Sequence, residues 1–321
     1  MLLQVALRVQ RLAARLLTVY VVSICCSSAY AIDRVMTTVI DESDIRHLYY
    51  RDLLSLALQS SKDKFGAYEV IYSQKHMPSR RKLAELVSGK NLSIDVSMPK
   101  VDWEGKTLVV PFPIYKGLAS FRLFLVLEEN QALVSRIRSL HGLKFFNIGQ
   151  GRGWSTNKIL EDHGFTVVYG DDYSGLFPML GAGRFQLLMR GADEILSEIR
   201  AFTHLVPSMQ VAKNIAVYTY LPQYINVTKK QPKLAKRLEY GLKKAFEEGK
   251  LDAIFNQYYA RSLEFLGAKN RRIFHLKNTN IDPSLIQRDE RYLIPSVGVY
   301  RGLSRGQGGG QKSLQNEPVS E

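Results

Sequence analysis

Cysteine is nearly absent from this 321-residue chain: there are two, Cys25 and Cys26. Both fall in a segment expected to be removed, so the rest of the chain offers no thiol, no disulfide and no cysteine ligand for a metal. The six histidines, at 47, 76, 141, 163, 204 and 275, are nowhere three or four residues apart, so metal-binding spacing is missing too. After residue 31 no run of 18 residues is free of charge, which leaves no candidate for a spanning helix. Negative charge is scarce as well, with 30 acidic against 44 basic residues. The basic side chains are scattered and not interleaved with aromatics, so nucleic acid is not an expected partner.

Residues 1–31 read as a secretory signal peptide. Arg8, Arg11 and Arg15 supply the positive end, 16–26 is an apolar run, and Ala29 and Ala31 are small residues at the positions a signal peptidase needs. Cleavage after Ala31 would send a chain starting at Ile32 to the periplasm. An alternative reading makes Cys25 a lipid anchor, although Ile24 sits where such a signal wants a small residue. Without the leader, 41 basic side chains face 30 acidic ones over 290 residues. A composition of 45% apolar and 10% aromatic residues is globular, and that length suggests two lobes.

Strand-like and helix-like segments alternate. Strands are expected at 35–40, 68–72, 92–96, 107–110, 121–128, 144–148, 166–169, 184–189, 215–220 and 224–227. Helices are expected between them, at 131–140, 155–163, 174–180 and 192–202 among others. The clearest helix is 233–249, where Leu234, Leu238, Leu242 and Phe246 recur at four-residue spacing before Gly249. A shorter helix is expected at 251–259. This density implies an α/β fold with largely parallel sheets. From residue 301 the chain lacks an apolar pattern and reads as a disordered tail, 301–321.

Two segments draw attention as sites. Gly149-Gln150-Gly151-Arg152-Gly153-Trp154 runs from a strand into a helix, where glycines and helix-start N–H groups can approach an anion. It reads either as a tight turn capped by Ser155 or Thr156 or as a ligand-contacting turn. Arg190-Gly191-Ala192-Asp193-Glu194 joins a strand to a helix at the carboxyl edge of a sheet, where ligands gather in open α/β folds. Arg190 and Glu194 there form either a polar clamp for a ligand or a structural ion pair. As a clamp, Arg190→Ala would weaken binding and spare stability. The acidic pairs Glu247-Glu248 and Asp171-Asp172 read as solvated, and no catalytic residue is expected.

The order of segments 111–122 (PFPIYKGLASFR), 146–154 (FNIGQGRGW), 176–185 (LFPMLGAGRF), 190–198 (RGADEILSE) and 234–250 (LAKRLEYGLKKAFEEGK) resembles the bacterial family 3 solute-binding proteins, most of all their uncharacterised transporter substrate-binding branch. The resemblance covers roughly 33–285. It implies an α/β, two-lobed type II periplasmic-binding-protein-like fold with two hinge crossings near 117–121 and 221–224. One lobe would comprise 33–119 plus 224–295 and the other 120–223. A small ligand would sit between them, contacted by Gly151, Gly153, Trp154, Arg190 and Glu194, with no cofactor and no metal. The implied role is capture of a small polar ligand by a monomer, for an ABC permease or a membrane sensor. A secreted enzyme using the same cleft, or a sensory or interaction protein, is the alternative. Amino-acid receptors of this family usually carry an arginine before the strand that leads to the Pro-aromatic turn and an aspartate after the Gly-Arg of the second lobe. Here 101–106 read VDWEGK, and position 186 is Gln.

Overall fold

The computed structural model describes residues 32–267 and 271–295, so the expected leader and tail lie outside the described residues. The first unit is a parallel pair, β1 (Asp33–Thr37) and β2 (Tyr68–Tyr72), connected through helix α1 (Ile45–Ser60). Asp44 starts α1 by accepting the Arg46 N–H at 2.9 Å. Helix α2 (Ser79–Ser88), β3 (Ile94–Ser97) and β4 (Thr107–Val109) follow. Met36 and Ser93 bond β1 to the start of β3, which brings the pair beside a three-stranded sheet.

The chain then turns through Lys116 and Gly117, both at positive φ (50° and 80°), into β5 (Phe121–Leu127). Only glycine adopts that backbone at little cost, which fits Gly117 to a bend between lobes. The second series runs β6 (Ile148–Gly151), α3 (Ser155–Asp162), β7 (Val167–Gly170), α4 (Leu176–Gly181), β8 (Leu187–Gly191), α5 (Ile195–Phe202), β9 (Met209–Val211) and β10 (Ile215–Tyr218). Its seven-stranded sheet has the order β12-β10-β5-β8-β6-β7, where β12 is Arg272–His275, with β9 on β5. Leu123, Leu125 and Leu127 of β5 enter one apolar cluster while Phe124 and Val126 enter another, so both faces of this central strand are covered. Each such side chain contributes about 1.5–3 kcal/mol by leaving water.

The chain returns as β11 (Tyr224–Thr228), pairing with β3 and β4, and continues into α6 (Pro232–Glu247) and α7 (Lys250–Gly267). Helix α6 lies so close to α1 that a Cβ on Gly241 would stand 1.9 Å from the Ala57 carbonyl oxygen. Arg237, wholly buried, ties α6 to the first sheet by donating to Asp33 Oδ2 (2.8 Å), Gly66 O (2.7 Å) and Ser61 Oγ (3.2 Å).

Several elements depart from the sequence expectation. The helix expected at 131–140 breaks into Gln131–Ser135 and Leu140–Leu143. The strand expected at 144–148 starts only at Ile148, because Lys144 and Phe146 are bonded back into the preceding turn. Parallel pairing holds for β1–β2, β6–β7, β6–β8 and β10–β12, whereas β5 and β11, which follow the crossings, run antiparallel to their neighbours. Residues 272–275, assigned by the sequence to the first lobe, form β12 (Arg272–His275) on the edge of the second sheet. From there the chain crosses again to α8 (Ser284–Asp289), where the buried Asp289 accepts the hydroxyls of Tyr220 (2.6 Å) and Tyr224. A backbone bond from Ile294 to Lys116 O fastens this segment to the bend.

Candidate functional site

A cavity of about 510 Å³ lies between the two sheets' ends. The first lobe supplies Arg46 from α1, Ser79 and Lys82 from α2, Asp95 and Ser97 from β3, and Lys100 beyond it. Arg122, Arg152–Thr156, Tyr173, Arg190, Asp193 and Glu194 form the opposite wall, and Gln223 lies at the crossing. Strand ends meet helix starts on both sides, which is where an α/β sheet exposes backbone and polar side chains.

The wall of the second lobe is a closed ion network. Arg190, at the end of β8, is 3% exposed and donates from Nε to both Glu198 oxygens (3.0 and 2.8 Å) and from Nη2 to Glu198 Oε1 (2.5 Å). Its Nη2 also lies 2.9 Å from Glu194 Oε2. Trp154 covers one guanidinium face at 4.4 Å from the ring centroid, and Tyr173 stands at 5.4 Å while donating its hydroxyl to Glu198. Glu194 further accepts from Gly191 N (2.8 Å) and Arg122 Nη2 (3.4 Å), and it pairs with Arg46 of the first lobe. Burial works to raise the Glu194 carboxyl, but the charges of Arg190, Arg46 and Arg122 outweigh it and hold the group below its ordinary range. Asp193 goes the other way, raised by burial and by the charge of Glu194 beside it.

Trp154, Gly153, Arg190 and Glu194 thus stand at the cavity, while Gly151 stands behind it. A Cβ on Gly151 would fall 2.3 Å from the Trp154 ring, so this glycine makes room for the indole. Gly149 does the same for Phe185, at 2.4 Å. Neither Ser155 nor Thr156 caps α3. Trp154 takes the cap position without a side-chain bond, and Thr156 turns its hydroxyl back to Gln150.

The first lobe's wall is more open. Lys82 Nζ meets Asp95 Oδ1 at 3.1 Å, and Lys100 Nζ donates to Ser79 Oγ at 3.0 Å. Sequence reading passed over Arg46, Lys82, Lys100 and Arg122, since they lie on separate elements that converge only in the fold. The one local hint was Ser97-Met98-Pro99-Lys100 directly after a strand. Among the described residues no three His, Cys, Asp or Glu side chains cluster as a metal site, and no helix is long and apolar enough to cross a membrane.

No protein-family model matches the sequence, and no curated relative does either. Solved structures do share the fold. An ancestral arginine-binding protein bound to arginine superposes with a TM-score of 0.51 at 20% identity, over 71% of this chain and 98% of the other. A structure described for glutathione import in Gram-positive bacteria, by GshT and the cystine importer of Streptococcus mutans, gives 0.53 at 15% identity, over 72% and 96%. The GluR0 ligand-binding core in complex with L-glutamate gives 0.51 at 13% identity, over 73% and 100%. The chain therefore has the two-lobed α/β fold of periplasmic binding proteins, the architecture that the segment order implied. The first of these neighbours is described as bound to arginine and the last as a ligand-binding core with L-glutamate.

Proposed function

We propose that the chain is an exported solute-binding protein that captures a small polar ligand between its lobes, for an ABC-type permease or for a sensor. The observation that carries this reading is the 510 Å³ cavity, whose polar lining comes from both lobes at once. A volume in the few-hundred Å³ range suits a small molecule, and walls on separate bodies allow capture by closure. The lobes are assigned as 33–119 with 224–295 and as 120–223, apart from β12, which joins the second sheet. Export with cleavage after Ala31, a periplasmic location and a monomeric state complete the proposal.

Mass spectrometry of compounds released from the purified protein tests it, followed by small-angle scattering with the released compound. The radius of gyration should fall on binding. An unchanged profile at saturation would overturn capture by closure.

A further inference from the structure

Around the cleft most cations are already paired: Asp44, Glu198 and Asp171 hold Arg46, Arg190 and Arg152 from outside the lining. Within it, Arg46, Lys82, Lys100, Arg122, Arg152 and Arg190 face three carboxylates, Asp95, Asp193 and Glu194. None of these three carboxylates offers a ligand an open acceptor. Asp95 is 4% exposed and holds Lys82, and Glu194 is engaged by three arginines. Asp193 is 3% exposed, and its Oδ1 is buried without a hydrogen-bond partner. Lys100 is the converse. Its half-buried ammonium has a hydroxyl, Ser79 Oγ, but no carboxylate within 4.0 Å among the described residues. Arg152 is paired with Asp171 on the exposed rim, where solvent screens the pair, and its guanidinium lies 5.2 Å from the Tyr169 ring centroid.

Resting on the solute-binding reading above, we propose that the ligand is a small, multiply charged anion without an amino group, anchored by Lys100 from one lobe and reached by Arg152 from the other. Carboxylate and phosphate groups share the required chemistry. An ammonium on the ligand would meet the Lys100 charge and only carboxylates that are buried or already paired, an unfavourable desolvation with little to offset it. Burial holds the Lys100 ammonium below its ordinary value against the pull of Asp102 and Asp95, and a bound anion would raise it.

Calorimetry on the chain from residue 32 onward, with citrate, succinate, glycerol 3-phosphate and inorganic phosphate against arginine, lysine and glutamate, separates the classes, and the carboxylate and phosphate arms separate the sources. The same titrations are run on Lys100→Gln and Lys100→Arg, alongside identification of any compound that co-purifies. At least one anion should bind, weaken as ionic strength rises, lose at least tenfold in affinity with Lys100→Gln and recover with Lys100→Arg. An amino compound as the tight or co-purified ligand, or anion binding indifferent to Lys100→Gln, would overturn the inference while leaving solute capture intact. No binding by any compound and none co-purified would overturn both.

Discussion

The two walls of the cleft use charge in opposite ways. In the second lobe, Arg190, Glu194, Glu198 and Arg122 are all under 10% exposed and pair with one another, with Trp154 laid over the Arg190 guanidinium. In the first lobe, Lys82 and Lys100 stand half-buried, with single partners. A network of the first kind is a frame, since breaking it strands a buried charge, whereas a wall of the second kind keeps capacity for something that arrives. Arg46 spans the difference: it leaves the first lobe at the start of α1 and pairs with Glu194 of the second.

That contrast can be broken most forcefully at Arg190. Arg190→Ala leaves Glu198 and Glu194 buried without their main cation and should cost about 3–5 kcal/mol of folding stability, read by denaturant titration of the unliganded protein. An unchanged midpoint with lost ligand affinity would return Arg190 to the clamp role suggested by its position at a strand end. Gly151→Ala tests the frame less severely. The added methyl displaces Trp154 from beneath its place over Arg190, with a cost of about 1–3 kcal/mol and a shifted indole emission.

The frame also has a pH signature. Glu194 sits below its ordinary value when folded, so its contribution is complete above the unfolded pKa, near pH 4.5, and is lost as pH falls through the lower folded value. Stability should drop by about 1 kcal/mol or more on that acid limb, and Glu194→Gln should flatten it. The smallest effect belongs to the other wall. Lys100→Gln should move unliganded stability by no more than about 0.5 kcal/mol, because it removes a charge that has no ion-pair partner. A large loss there would make Lys100 part of the frame and erase the distinction between the walls.

Much of the frame's scaffold was legible in the sequence. The largely apolar run at 121–128 marked β5, and the four-residue spacing of Leu234, Leu238 and Leu242 marked α6, because each pattern reports burial of its own element. Strand β12 was not legible, since four residues on a sheet edge carry too little pattern to stand out from a loop. The role of Arg190 was legible only as a pair of alternatives. An arginine at a strand end looks the same whether it faces a ligand or a glutamate eight residues on, and the denaturant titration of Arg190→Ala separates the two. Lys100 and Ser79 were invisible as a pair because 21 residues and two elements separate them.

The central claim, that the lobes close on a ligand, is most directly tested by an interlobe distance. The chain from Ile32 onward has no cysteine, so Val87→Cys on α2 and Leu205→Cys after α5, both about half exposed, accept spin labels without competition. Pulsed electron resonance should show the label-to-label distance shorten and its distribution narrow when the ligand saturates the protein. A distribution unchanged at saturation would contradict the account.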